Sequence, residues 1–76
     1  MNNKRREILS KAITHLESAL DIIDSVRFDE KYAFRSLPEG FQNSARGEAI
    51  EEAIDHLTDA IFNIKDARKS VNEAMK

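Results

Sequence analysis

Apolar residues recur along this chain at alternating intervals of four and three. In the first half they are Leu9, Ile13, Leu16, Leu20 and Ile23; in the second, Ile50, Ile54, Leu57, Ile61 and Ile64, followed by Val71 and Met75. That is the 3.5-residue period of helices packed at a shallow angle, as in coiled coils and bundles. No stretch alternates with period two, so the pattern predicts no strand. Beside the main series runs a second one at intervals of seven: Ala53, Ala60, Ala67 and Ala74, echoed by Ala12, Ala19, Val26 and Ala33. Small residues along one flank let neighbouring helix backbones come close.

The pattern breaks at Ser36-Leu37-Pro38-Glu39-Gly40-Phe41-Gln42-Asn43-Ser44. Proline restricts the residue before it and donates no hydrogen bond, and glycine is costly inside a helix. The expected elements are a first helix over about 3–35, a turn over 36–43 and a second helix over about 44–75. Each helix is roughly 50 Å long at 1.5 Å per residue. Asn43 or Ser44 is expected to cap the second helix. Ser36 and Glu39 have capping-box spacing, which points to a short helical turn inside the loop. Near the break Arg27 and Glu30 fall on the apolar seam while Phe28, Tyr32 and Phe34 become the large apolar groups. A phase slip or kink is therefore expected around residues 27–30.

Matched lengths and a short connection predict an all-α fold, an antiparallel two-helix hairpin in a single domain. Folding at the turn brings together residues whose numbers sum to about 80, so that Leu16 faces Ile64, Ile23 faces Leu57, Ile13 meets Arg68 and Arg27 meets Ile54. The two helices are also alike. Residues 12–27 and 53–68 match at seven of sixteen positions with an offset of 41: Ala12, Ile13, His15, Leu16, Ala19, Ile23 and Arg27 recur as Ala53, Ile54, His56, Leu57, Ala60, Ile64 and Arg68. In a hairpin this repeat becomes a pseudo-twofold.

At 76 residues the chain holds one domain with little room for a core, since so short a chain buries only about 60% of its unfolded surface. Two helices enclose nothing, and Ile8, Ile22, Val26 and Phe62 lie off the main seam. Burying one such side chain is worth about 1.5–3 kcal/mol. The expectation is a homodimer forming a four-helix bundle. With no cysteine, neither disulfides nor thiolate metal sites are available. No apolar run approaches the ~18 residues of a membrane span, and no signal-peptide core follows the basic start. The reading is a soluble cytoplasmic protein with no membrane partner.

The net charge of −2 conceals an uneven distribution. Residues 1–12 and 65–76 hold eight basic and three acidic side chains; residues 13–64 hold four basic and eleven acidic ones. The hairpin gathers the basic residues at its open end. Nucleic acid is thus a partner to consider, although no interleaved aromatics or helix-turn-helix spacing accompany the charge. Basic residues near the end of the second helix also offset its dipole.

No catalytic constellation appears. His15 and His56 stand about nine residues apart along the hairpin, ~13 Å at 1.5 Å per residue, too far to share an ion within one chain. They read as bundle-flank histidines, and no metal or cofactor is expected. The Glu-x-x-His spacing of di-iron bundles is absent, because Ala12 and Ala53 occupy the positions three before each histidine. Arg27 and Arg68 on the seam read as long stems covering apolar surface with their heads reaching water or a carboxylate. The chain is not expected to be an enzyme.

The most distinctive segment is the turn. Leu37-Pro38-Glu39-Gly40-Phe41-Gln42-Asn43-Ser44-Ala45-Arg46-Gly47-Glu48 resembles the L-P-E-x-[L/F]-Q-x-S-x-x-G-E pattern of short, uncharacterised helical-hairpin proteins of bacteria and their phages. With the A-I-x-x-L-x-x-A-I pattern that follows, the resemblance covers about a third of the chain. It implies a small helical hairpin and no known activity. Gly40 stands where that pattern leads one to expect a larger polar residue. Physically, Gly40 permits φ > 0 and Phe41 is expected to plug the bundle end. Gly47, inside the first turn of a helix, costs up to ~1 kcal/mol against alanine, so something approaches its backbone closely. The candidates are Phe34 or Tyr32 from the other helix, or a ligand. Free amides at this helix start, with Arg46 and Arg35 nearby, suit an anion.

Tyr32, Arg35, Gln42, Ser44, Arg46 and Gly47 are accordingly the candidate ligand- or partner-binding residues. The leading expectation is a non-enzymatic protein-interaction module, a phage or mobile-element accessory protein on the strength of the resemblance. The alternatives are a binder or sponge for a small, nucleotide-like anion at the second helix start, and a nucleic-acid accessory factor using the basic open end.

Overall fold

In the computed structural model, which describes residues 1–76, the chain forms two helices and no strand: α1 (Asn3–Arg35) and α2 (Ala45–Ala74). Their packing against one another produces a rod measuring 58 × 14 × 13 Å. The helix boundaries have local causes. Asn2 caps α1, its Oδ1 accepting the Arg5 amide at 2.9 Å. Ser44 takes extended backbone and caps α2, which therefore begins at Ala45. Arg35 lies in the last turn of α1, where a cation faces the exposed carbonyls.

Two long-range hydrogen bonds mark the antiparallel register. At the open end the Arg6 guanidinium donates to the Met75 carbonyl at 2.8 Å. Toward the turn, Arg27 donates to Thr58 Oγ1 at 3.3 Å. The first bond gives Arg6 a structural use, satisfying a carbonyl that the end of α2 leaves without a helical partner.

Contrary to the expected phase slip, α1 runs unbroken through residues 27–30. The seam also keeps its phase. Arg27, Glu30, Phe34 and Leu37 all stay half-buried, whereas Phe28 and Tyr32 are 63% and 66% exposed. Arg27 makes this tolerable, because its guanidinium reaches Asp24 at 2.7 Å as well as Thr58 while its stem lies on the seam.

Burial is slight everywhere. Leu20 (8% exposed) and Ile61 (5%) are the only buried side chains, joined by the backbone of Gly47. The two side chains occupy equivalent positions in the repeat, 41 residues apart, and sit at mid-rod. Ile8, Ile22, Val26 and Phe62 are all exposed.

These exposed groups divide between the two broad faces of the rod. Helical phase places Ile8, Ala12, His15, Ala19, Ile22 and Val26 on one stripe of α1, flanked on α2 by Ala53, His56, Ala60 and Ala67. Asp21, Asp24 and Lys65 converge with the seam arginines Arg27 and Arg68 on the other side. Phe62 belongs to that charged side, one turn from Thr58 and from Lys65. The hairpin thus has a face of small and aliphatic residues and a face that mixes these charges with the exposed aromatics Phe28, Tyr32 and Phe62.

Candidate functional site

The turn is built from its own atoms. The Ser36 and Leu37 amides close the end of α1 onto the carbonyls of Tyr32 (3.0 Å) and Phe34 (3.2 Å). Pro38 through Phe41 then form a turn closed by the Phe41 amide on the Pro38 carbonyl at 3.0 Å. Gly40 takes the third position at φ +89°, the left-handed conformation such a turn requires. A second turn follows, with the Ser44 amide donating to the Phe41 carbonyl at 3.1 Å. The capping-box spacing at Ser36 therefore yields two consecutive turns and no helical segment. Within the single hairpin Phe41 covers nothing. It is 59% exposed, and Leu37 is the half-buried apolar residue of the turn.

Ser44 joins this turn to α2. Its hydroxyl accepts the Gly47 amide at 3.3 Å and donates to the Phe41 carbonyl, and its carbonyl receives the Glu48 amide at 2.9 Å. The close approach expected at Gly47 comes from neither Tyr32 nor Phe34. A Cβ there would overlap the carbonyl carbon and oxygen of Gln42. The chain folds back so tightly onto the first turn of α2 that only glycine fits.

Three of the six candidate residues, Gln42, Ser44 and Gly47, thus belong to the construction of the turn. Arg46 is exposed on the first turn of α2, which also carries Glu48, and Tyr32 projects into solvent. Arg35 lies apart from these, lining an open cleft of about 470 Å³ with Phe28, Lys31, Phe34 and Ile54. Its Nε donates to the Lys31 carbonyl at 3.4 Å. The sequence singled out Phe28 and Phe34 as large apolar groups near the turn, without their grouping around Lys31 and Arg35. Ile54, expected opposite Arg27, lines this cleft from α2.

A second groove, about 290 Å³, runs along the charged face at mid-rod. Leu20 and Ile61 lie in it beside Asp21, Asp24, Arg27, Lys65 and Arg68. The two arginines of the repeat thus line one groove from opposite helices. Arg27 is tied to Asp24 and Thr58. No grouping of three His, Asp or Glu side chains comes together anywhere in a way that could hold a metal ion, and no helix is long and apolar enough to cross a membrane.

Comparison of the chain with protein-family models, with curated proteins and with solved structures finds no match.

Proposed function

We propose that this chain is a non-enzymatic protein-interaction module, a helical hairpin whose core is completed by a second copy in a four-helix bundle and whose turn end or outer face engages a protein partner. The observation that carries the reading is the burial: two helices totalling 63 residues bury only two side chains, Leu20 and Ile61. A chain of this size without disulfides needs another source of buried surface, and Ile8, Ile22 and Val26 offer it on one face. The resemblance of the turn to bacterial and phage helical hairpins extends the proposal to an accessory protein of a phage or mobile element.

The geometry of the turn favours this over an anion binder. Ser44 and Gly47 are engaged within the turn, and Glu48 already answers the dipole of α2. Thermal-shift measurements with a panel of nucleotides and inorganic phosphate test the choice. The proposal expects no rise in melting temperature. A rise with one nucleotide class, abolished by Arg46→Ala, would replace it with a small-anion binder.

A further inference from the structure

We infer that the second copy docks on the small-residue face with the two hairpins antiparallel, each turn lying over the partner's open end. This rests on the dimeric reading and adds to it the face, the direction and the register.

Either broad face is large enough for a dimer, and composition selects between them. A surface 58 Å long and 14 Å wide offers roughly 800 Å² per protomer, the extent of a stable protein interface. On the charged side, Asp21, Asp24, Lys65 and Arg68 would have to be desolvated. The opposite face carries Ile8, Ile22 and Val26 among alanines, with His15 and His56 along it and the charged Lys4, Glu30 and Glu52 only toward its ends and edges.

The direction follows from charge. The open half of the rod, residues 1–20 with 62–76, holds eight basic and four acidic side chains, a net of +4. The turn half, residues 21–61, holds four basic and ten acidic ones, a net of −6. Parallel hairpins would stack like on like at both ends. Antiparallel hairpins set +4 over −6 twice.

The register follows from the repeat. An antiparallel twofold through mid-rod, where Leu20 and Ile61 are buried, pairs α1 residues whose numbers sum to 41. Ile22 then lies on the partner's Ala19, Val26 on the partner's His15 and Ile8 on the partner's Ala33, each larger group against a smaller or flat one. On α2 the numbers sum to 123, and Ala60 meets the partner's Asn63 while Ala53 meets the partner's Ser70. The alanines at seven-residue spacing on each protomer let these helices approach closely.

The chain has no cysteine, so Asn43→Cys in the exposed turn accepts a single spin label, and the label-to-label distance reads the direction. Antiparallel docking places the labels at opposite ends, roughly 50 Å apart. A distance near 20 Å, about two helix spacings, would leave a dimer but overturn the antiparallel arrangement. An absence of any dipolar signal, with single-chain mass in solution, would overturn the dimer and this inference together. Ala60→Glu and Thr14→Glu, on the small-residue and opposite sides of their helices, read the face. The first is expected to weaken self-association on the order of 100-fold or more and the second to leave it unchanged. Retention of the long distance in Ala60→Glu, or its loss in Thr14→Glu, would overturn the docking face.

Discussion

Between Ser36 and Gly47 the caps, the tight turns and the closest backbone approach are all supplied within a dozen residues. Along the shaft, helices of 33 and 30 residues bury only two side chains, Leu20 and Ile61. One region satisfies its own groups within a dozen residues, and the other leaves most of its apolar side chains half-buried or exposed. The turn is the most distinctive stretch of sequence, yet Gly40, Gln42, Ser44 and Gly47 are accounted for by the work of reversing the chain. The unspent surface lies on the repetitive shaft, where the stripe through Ile8, Ile22 and Val26 remains open to solvent.

The sharpest way to break this contrast is to delete an apolar side chain in each region. Ile61→Ala removes half of the buried pair and is expected to cost about 2–4 kcal/mol, read as a fall in the denaturant midpoint. Phe41→Ala removes a larger but exposed group and should fall within about 0.5 kcal/mol of the parent. Equal losses would mean that the turn depends on packing beyond its own atoms.

Gly47→Ala comes next. Helix propensity alone favours alanine by up to ~1 kcal/mol, but its Cβ would overlap the Gln42 carbonyl. The expected net is a loss of about 1–3 kcal/mol as the turn is forced off the helix. A stabilised variant would show that the close approach is dispensable. The smallest effect separates the two serines of the turn. Ser44→Ala should cost about 1 kcal/mol by removing the cap. Ser36→Ala should cost less than about 0.5 kcal/mol, because only the Ser36 backbone is used at the end of α1. Both are read by urea denaturation.

What the sequence disclosed was the periodic and the local. The seam through Leu9, Ile13, Leu16 and Leu20, the exposure of Ile8 and Ile22, a cap at Asn43 or Ser44 (Ser44 in the structure) and the positive φ of Gly40 each depend on spacing or on one residue's chemistry. Arg27 and Glu30 were harder, because two polar residues on a seam look like a slipped phase. The helix holds its phase, since Arg27 finds Asp24 and Thr58 for its charged head. Gly47 gave a correct signal with the wrong neighbour, because nothing in the residue pattern says which backbone will arrive against it. The joint groove of Arg27 and Arg68, and the cleft that Ile54 completes beside Arg35, depend on how the helices turn about one another. No single helix carries that information. Even the exposed apolar groups looked equivalent until the rod separated Phe62 from Ile22.

The central claim is that the shaft is completed by a second copy, and sedimentation equilibrium at micromolar concentration tests it most directly. The account predicts twice the chain mass of 8.7 kDa. A helical protein sedimenting as one chain would contradict it.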